Sequence, residues 1–186
     1  ACPEFFTLRF GYFADGWGSF EEETYEFGSN YLYTDDFEGA TSWAHVSGES
    51  NASVGDWILD DPLGTEAQPE DDVTPDPGNQ CLFTAQNPDN SLGGGDVDGG
   101  LVVARSGAYD LSGHPEARLR LQRWFTNWDP TDGDTGDYYQ LKVRENSGSS
   151  DVILEEIDHT GSATGWTEVE FRLADYVTVG SGIEFS

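Results

Sequence analysis

Apolar and polar residues alternate with a period of two through much of the chain. In ARLRLQRWF, Leu119 and Leu121 alternate with Arg118, Arg120 and Gln122. In YYQLKVRE, Tyr139, Leu141 and Val143 fall on one face, with Gln140, Lys142 and Arg144 on the other. WTEVEFRLADY sets Val169, Phe171 and Leu173 against Glu168, Glu170 and Arg172. Successive side chains of a strand point to opposite faces, so this period predicts strands with one buried and one wet face, as in antiparallel sheets.

FFTLRFGYF, NYLYTDDFE, DWILDD, QCLFTAQ, GLVVARS, DVILEEID and VTVGSGIEFS are further strand candidates, with Gly, Asp, Asn and Pro clusters between them. No segment carries the 3.6-residue period of a long amphipathic helix. The expected class is all-β, an antiparallel jelly-roll β-sandwich. Residues 1–30 are aromatic-rich and read as a strand, a turn and an acidic strand: an N-terminal strand-rich extension, or strands added to a sandwich spanning residues 31–186.

With 186 residues, 36% of them hydrophobic and 13% aromatic, the chain can build a core of its own. No run approaches the roughly 18 to 20 apolar residues of a membrane span. The chain opens on ACPEFF, as a mature or trimmed product would.

Charge narrows the function classes. Thirty-six acids face eight basic residues, for a net charge of −28, and Lys142 is the only lysine. Nucleic acid is a poor partner for such a surface, because phosphate binding needs cations. The excess suits a cation-binding protein, a salt-adapted surface or both, or else a solvated acidic coat that keeps a secreted protein soluble. Cys2 and Cys81 lie far apart and match no zinc spacing. They read either as one long-range disulfide or as two buried thiols. Asn51 opens an Asn-Ala-Ser triplet, the form of a glycosylation acceptor.

From residue 34 onward the order of motifs is familiar: DDFEGATSW, GDWILDDPLGT, QPEDDVTPDPGNQCLFT, GGDVDGG, YDLSGHPEARLRLQRWFTN, GDYYQLKVREN and GWTEVEFRLADYV. This order resembles the jelly-roll domain appended to secreted bacterial metallopeptidases, and more distantly the MAM adhesion domain of concanavalin-like fold. The resemblance implies an accessory domain that binds calcium and packs beside a catalytic domain or a surface, without catalysis of its own. It also implies one further strand after Phe185, so the sandwich lacks its last strand unless one is supplied from elsewhere. The hairpin after the KVREN strand, written SNDGG in the family, is ENSGSSD here.

Calcium gives the acidic loops a purpose. Residues 68–100 carry seven Asp or Glu and no Lys or Arg. Calcium takes six to eight oxygens from carboxylates, carbonyls and water in flexible geometry. EDDVT supplies Asp71 and Asp72 beside Glu70, GGDVDGG supplies Asp96 and Asp98 on alternate residues, and TDDFE adds Asp36 and Glu38 with the same spacing. Carboxylates crowded together repel one another unless a cation sits among them. The competing reading is ordinary turn-forming Asp with no metal. DPTDGDTG, with Asp129, Asp132, Asp134 and Asp137, echoes a calcium loop but lacks the distal Glu, which favours a solvated hairpin.

Catalysis has little to stand on. His45, His114 and His159 share no metallopeptidase spacing and accompany no nucleophile motif. Trp43, Trp57, Trp124 and Trp166 fall in strand-like positions and read as core, whereas Trp17 and Trp128 lie in turns where exposed rings suit sugar stacking. The expected protein is a non-catalytic, secreted, calcium-binding jelly-roll module with an adhesive or accessory role. Two alternatives stand beside it. One is a structural subunit of an extracellular filament or surface assembly, joined to a neighbouring subunit by strand donation; the other is a carbohydrate-binding module.

Overall fold

The structure, a computed structural model, describes residues 4–14, 17–27, 31–65, 68–88, 95–126, 137–146, 148–158, 160–161 and 165–186, with side chains described from residue 31 onward. It is essentially all-β. The chain divides into two compact units, Ala1–Thr34 and Asp35–Ser186.

The first unit is a two-stranded antiparallel ribbon of β1 (Glu4–Ala14) and β2 (Trp17–Phe27). Its register runs from Glu4 opposite Phe27 to Ala14 opposite Trp17. Within this register Phe6 pairs with Tyr25, Leu8 with Glu23 and Phe10 with Glu21.

The second unit holds ten strands among the described residues. They are β3 (Ala44–His45), β4 (Trp57–Asp60), β5 (Cys81–Thr84), β6 (Ala104–Arg105), β7 (Tyr109–Asp110), β8 (Arg118–Arg123), β9 (Tyr138–Arg144), β10 (Val152–Asp158), β11 (Thr167–Arg172) and β12 (Ser181–Phe185). A single turn of 3₁₀-helix, Leu173–Asp175, follows β11. The largest sheet has four antiparallel strands in the order β10-β9-β12-β7; β11–β8, β3–β6 and β4–β5 form antiparallel pairs.

The alternation read from the sequence sets the core. Leu141 and Val143 of β9, Leu154 of β10, Ile183 and Phe185 of β12, with Leu111 and Leu173, form one buried cluster. Leu119 and Leu121 of β8 and Phe171 of β11 pack against it. The apolar side of the β8–β11 pair therefore closes onto the four-stranded sheet. Each such side chain contributes about 1.5–3 kcal/mol of burial.

β12 is an interior strand. It pairs with β9 through Glu184 and Phe185 and with β7 through Ser181 and Ile183. Gly182 interrupts the β7 register at φ +86°, a left-handed conformation that costs a residue without a side chain little. Beyond the strand proper, Lys142 and Ser186 exchange backbone hydrogen bonds of 2.7 and 3.1 Å.

One predicted strand is missing. NYLYTDDFE has no strand in its described structure. Asp35 Oδ1 accepts the Phe37 N–H at 3.1 Å and Asp36 Oδ1 accepts the Glu38 N–H at 3.2 Å. Phe37 itself sits at φ 62°. Short acidic side chains here capture the backbone donors that a ladder would need, and the chain coils instead. GLVVARS also shortens, to the two residues of β6.

Candidate functional site

The short β4–β5 ribbon positions the acidic loops. Its register places Trp57 opposite Thr84 at one end and Asp60 opposite Cys81 at the other. The predicted calcium ligands part between these two ends, which lie roughly 10 Å apart along an extended strand.

At the Cys81 end, three acidic segments meet. Glu38 Oε1 accepts the backbone N–H groups of Asn79 at 2.8 Å and Gln80 at 2.7 Å, tying the 35–38 loop to the residues that lead into β5. Thr74 Oγ1 lies 2.8 Å from Asp72 Oδ2 and 3.4 Å from Glu38 Oε1. One hydroxyl thus stands between carboxylates of two separate loops. Asn79 Nδ2 donates to Asp61 Oδ2 at 2.8 Å, which brings in the end of β4. Asp36, Glu38, Thr74, Pro75, Pro77 and Gly78 line an open depression of about 490 Å³. Gly78 is needed here, because a Cβ on it would overlap the Thr74 hydroxyl and come within 3.2 Å of the Glu38 carboxyl carbon.

Asp71 belongs to the same end by two routes. Its carboxylate accepts the Asp72 N–H at 2.9 Å, and its carbonyl accepts the Trp166 indole N–H at 3.1 Å. Trp166 in turn meets Trp124 edge to face, ring centres 6.0 Å apart at 80°. Through Trp166 the loop at Asp71 is tied to Trp124, which follows β8.

Cys81 senses this cluster. Its side chain is buried, and among the described residues it has no disulfide partner. Burial, then the nearby charges of Asp72, Asp61, Asp71 and Glu38, push the thiol up from 9.0 to about 12. Cys2, the partner that the disulfide reading would require, lies outside the described residues.

Asp96 and Asp98 are at the other end. Asp98 bridges Val54, and its carbonyl accepts both the Ser53 N–H at 2.8 Å and the Ser53 hydroxyl at 3.0 Å. The Asp96 carbonyl lies against Gly55. Gly99 and Gly100 serve this crossing: a Cβ on Gly99 would lie 2.6 Å from Ser53 Oγ, and one on Gly100 2.6 Å from Asn51 Oδ1 and 2.7 Å from the Ala52 nitrogen. Close approach of two backbones accounts for them without an ion.

Positive charge is spent elsewhere. Each of the six arginines in Asp35–Ser186 lies on a strand and is ion-paired: Arg105 with Glu49 and Asp151, Arg118 with Glu170, Arg120 with Glu168, Arg123 with Glu155, Arg144 with Glu184, and Arg172 with Glu116 and Asp175. None of these pairs involves a carboxylate of the Cys81 end. Among the described residues, no three His, Cys, Asp or Glu side chains stand ready in metal-ligand geometry. The donors that do converge are carboxylate and hydroxyl oxygens, part of the hard set that calcium and magnesium take.

His45 lies on β3 with Nδ1 against Asp56 Oδ1, and His114 sits exposed in the turn after Leu111; His159 lies outside the described residues. Asp129, Asp132, Asp134 and Trp128 also lie outside them, as does the side chain of Trp17. Among the described residues no helix is long and apolar enough to cross a membrane. Compared with known protein families, curated proteins and solved structures, the chain matches none.

Proposed function

We propose that this chain is a non-catalytic, extracellular calcium-binding module with an adhesive or accessory role, its second unit a jelly-roll sandwich of the metallopeptidase-appended kind. The ion is held at the Cys81 end of the β4–β5 ribbon by Asp36, Glu38, Asp71 and Asp72. The observation that carries the reading is the Thr74 hydroxyl, set between the Glu38 and Asp72 carboxylates where no arginine compensates them. Calcium suits this site better than magnesium, because the donors come from irregular loops and calcium tolerates variable geometry. Bound, it supplies charge neutralisation and cross-links the loops on either side of β4. It enters no reaction.

Melting followed by circular dichroism tests the reading. Millimolar calcium should raise Tm and a chelator should lower it, since a ligand bound only by the folded state stabilises it by mass action. Sodium chloride at matched ionic strength should give a smaller shift, because screening acts on all surface charges alike. Equal shifts with the two salts would remove the calcium site.

A second reading, the subunit of an extracellular assembly, draws on the β1–β2 ribbon. Two strands alone are marginal in water, and the sequence of β1 alternates Phe6, Leu8 and Phe10 with Thr7 and Arg9. Light scattering before and after removal of residues 1–34 decides it: a stable monomer of unchanged association in both forms rules it out.

A further inference from the structure

We infer that Asn51 is an N-linked glycan acceptor. The inference rests on the extracellular reading, and it adds a covalent partner that the calcium site neither needs nor implies. Asn51-Ala52-Ser53 has the acceptor pattern of an Asn followed, two residues on, by a hydroxyl residue. The structure gives that pattern a specific presentation.

Asn51 and Ser53 are both exposed, on the segment that crosses GGDVDGG. The two ends of the Asn51 amide are used differently. Oδ1 accepts the Leu101 N–H at 2.9 Å, while the Asn51 N–H donates to the Leu101 carbonyl at 2.9 Å. Nδ2 hydrogen-bonds to nothing among the described residues. A sugar attached at Nδ2 leaves the amide oxygen intact, so the Leu101 bond survives the modification. The nitrogen that must carry the glycan is the one the fold leaves unused.

The surroundings also suit a sugar. Leu101 is 41% exposed and Val54 is 44% exposed, and both belong to this crossing. A glycan at Nδ2 lies beside these aliphatic side chains and can shield them from water. Gly100 leaves no side chain between Asn51 and the adjoining 98–101 segment, since a Cβ there would fall 2.6 Å from Asn51 Oδ1.

The transfer needs a lipid-pyrophosphate-linked oligosaccharide as donor. A bond forms between Asn51 Nδ2 and C1 of the first sugar, the C1–O bond to phosphate breaks, and the lipid pyrophosphate leaves. The departing lipid pyrophosphate takes up the proton lost from Nδ2. Because the folded segment is fixed by at least four hydrogen bonds to residues 98–101, transfer precedes the closing of this crossing.

The test uses the protein secreted by the cells that make it. Cleavage after glutamate releases Ser50–Glu66, which mass spectrometry can fragment to locate a modification. The expected result is a glycan on Asn51, lost in Ser53→Ala and kept in Ser53→Thr, which preserves the hydroxyl. Enzymatic release of the glycan should then increase binding of a hydrophobic dye. An unmodified peptide from protein recovered outside the cells overturns the inference while leaving the extracellular reading intact. Unmodified protein found only inside the cells overturns both. A sugar mapped to Ser50 or Ser53, or one that persists on Asn51 in Ser53→Ala, also overturns it.

Discussion

Arg123 grips Glu155 through two hydrogen bonds of 2.7 Å each, from Nε and from one terminal nitrogen. The pair links β8 to β10, and hence the two-stranded pair to the four-stranded sheet it covers. Both side chains are largely withdrawn from water, at 14% and 18% exposure. Removing one partner leaves the other charge poorly solvated, which costs about 3–5 kcal/mol for a fully buried pair. Arg123→Ala should therefore destabilise the protein by about 2–4 kcal/mol. Arg118, whose bridge to Glu170 lies in solvent, should lose less than about 1 kcal/mol on the same change. Urea unfolding compares the two, and equal losses would contradict this assignment.

Charge deletion without loss of shape distinguishes the two ends of the β4–β5 ribbon. Gln in place of Glu38 can still offer an oxygen to the Asn79 and Gln80 N–H groups, so Glu38→Gln removes charge and leaves the turn. Calcium affinity measured by calorimetry should fall about tenfold or more, equivalent to about 1.4 kcal/mol. Asp98→Asn should change it by less than about twofold, as the Asp98 carbonyl is already taken by Ser53 and its side chain lies at the other end. A larger effect at Asp98 than at Glu38 would move the site.

Trp166 should report calcium binding directly. Its indole N–H bonds the Asp71 carbonyl, and its ring meets Trp124. An ion that draws on the Asp71–Asp72 segment alters the polar partner of the indole and so its emission. Calcium should change tryptophan fluorescence in the wild type and leave Trp166→Phe largely unresponsive, though still stabilised by the ion. A full response in that variant would mean the ion acts elsewhere.

The sequence made the strands of the second unit legible where alternation was sustained. β8, β9 and β11 run through the quoted segments, with Leu119, Leu121, Leu141, Val143 and Phe171 all turned to the core. Period-two patterning is a direct imprint of a half-buried strand. Residues 31–39 misled because alternation there competes with Asp35 and Asp36, whose side chains capture nearby N–H groups. The acidic loops were legible as composition but not as grouping. Asp71 and Asp96 both lie in one acidic stretch, yet β5 runs between them and carries them to opposite ends of the ribbon. Gly100 admits the neighbouring Asn51–Ala52 backbone, a partner about 50 positions away that no local pattern reveals. The role of Thr74 left no sequence signal beyond its place next to EDDV, since its second partner, Glu38, is 36 residues away.

Alkaline pH should expose the Cys81 environment. Burial, then Asp72, Asp61, Asp71 and Glu38, raise the thiol from 9.0 to about 12 in the folded chain. A raised pKa means the folded state holds this proton more tightly than the unfolded one. Below pH 9 both states are protonated and the contribution is fully present. Between pH 9 and 12 the unfolded thiol ionises while the folded one does not, so stability falls by up to about 1.4 kcal/mol per pH unit. Tyr139 adds a similar loss only from pH 10 upward, because its hydroxyl, raised by burial and by Glu155, starts from 10.0. The interval from pH 9 to 10 therefore belongs to Cys81. Urea unfolding at successive pH values should show this early decline in the wild type and in Tyr139→Phe, and lose it in Cys81→Ala. An unchanged decline in Cys81→Ala would show that the thiol is not what the alkaline solution titrates.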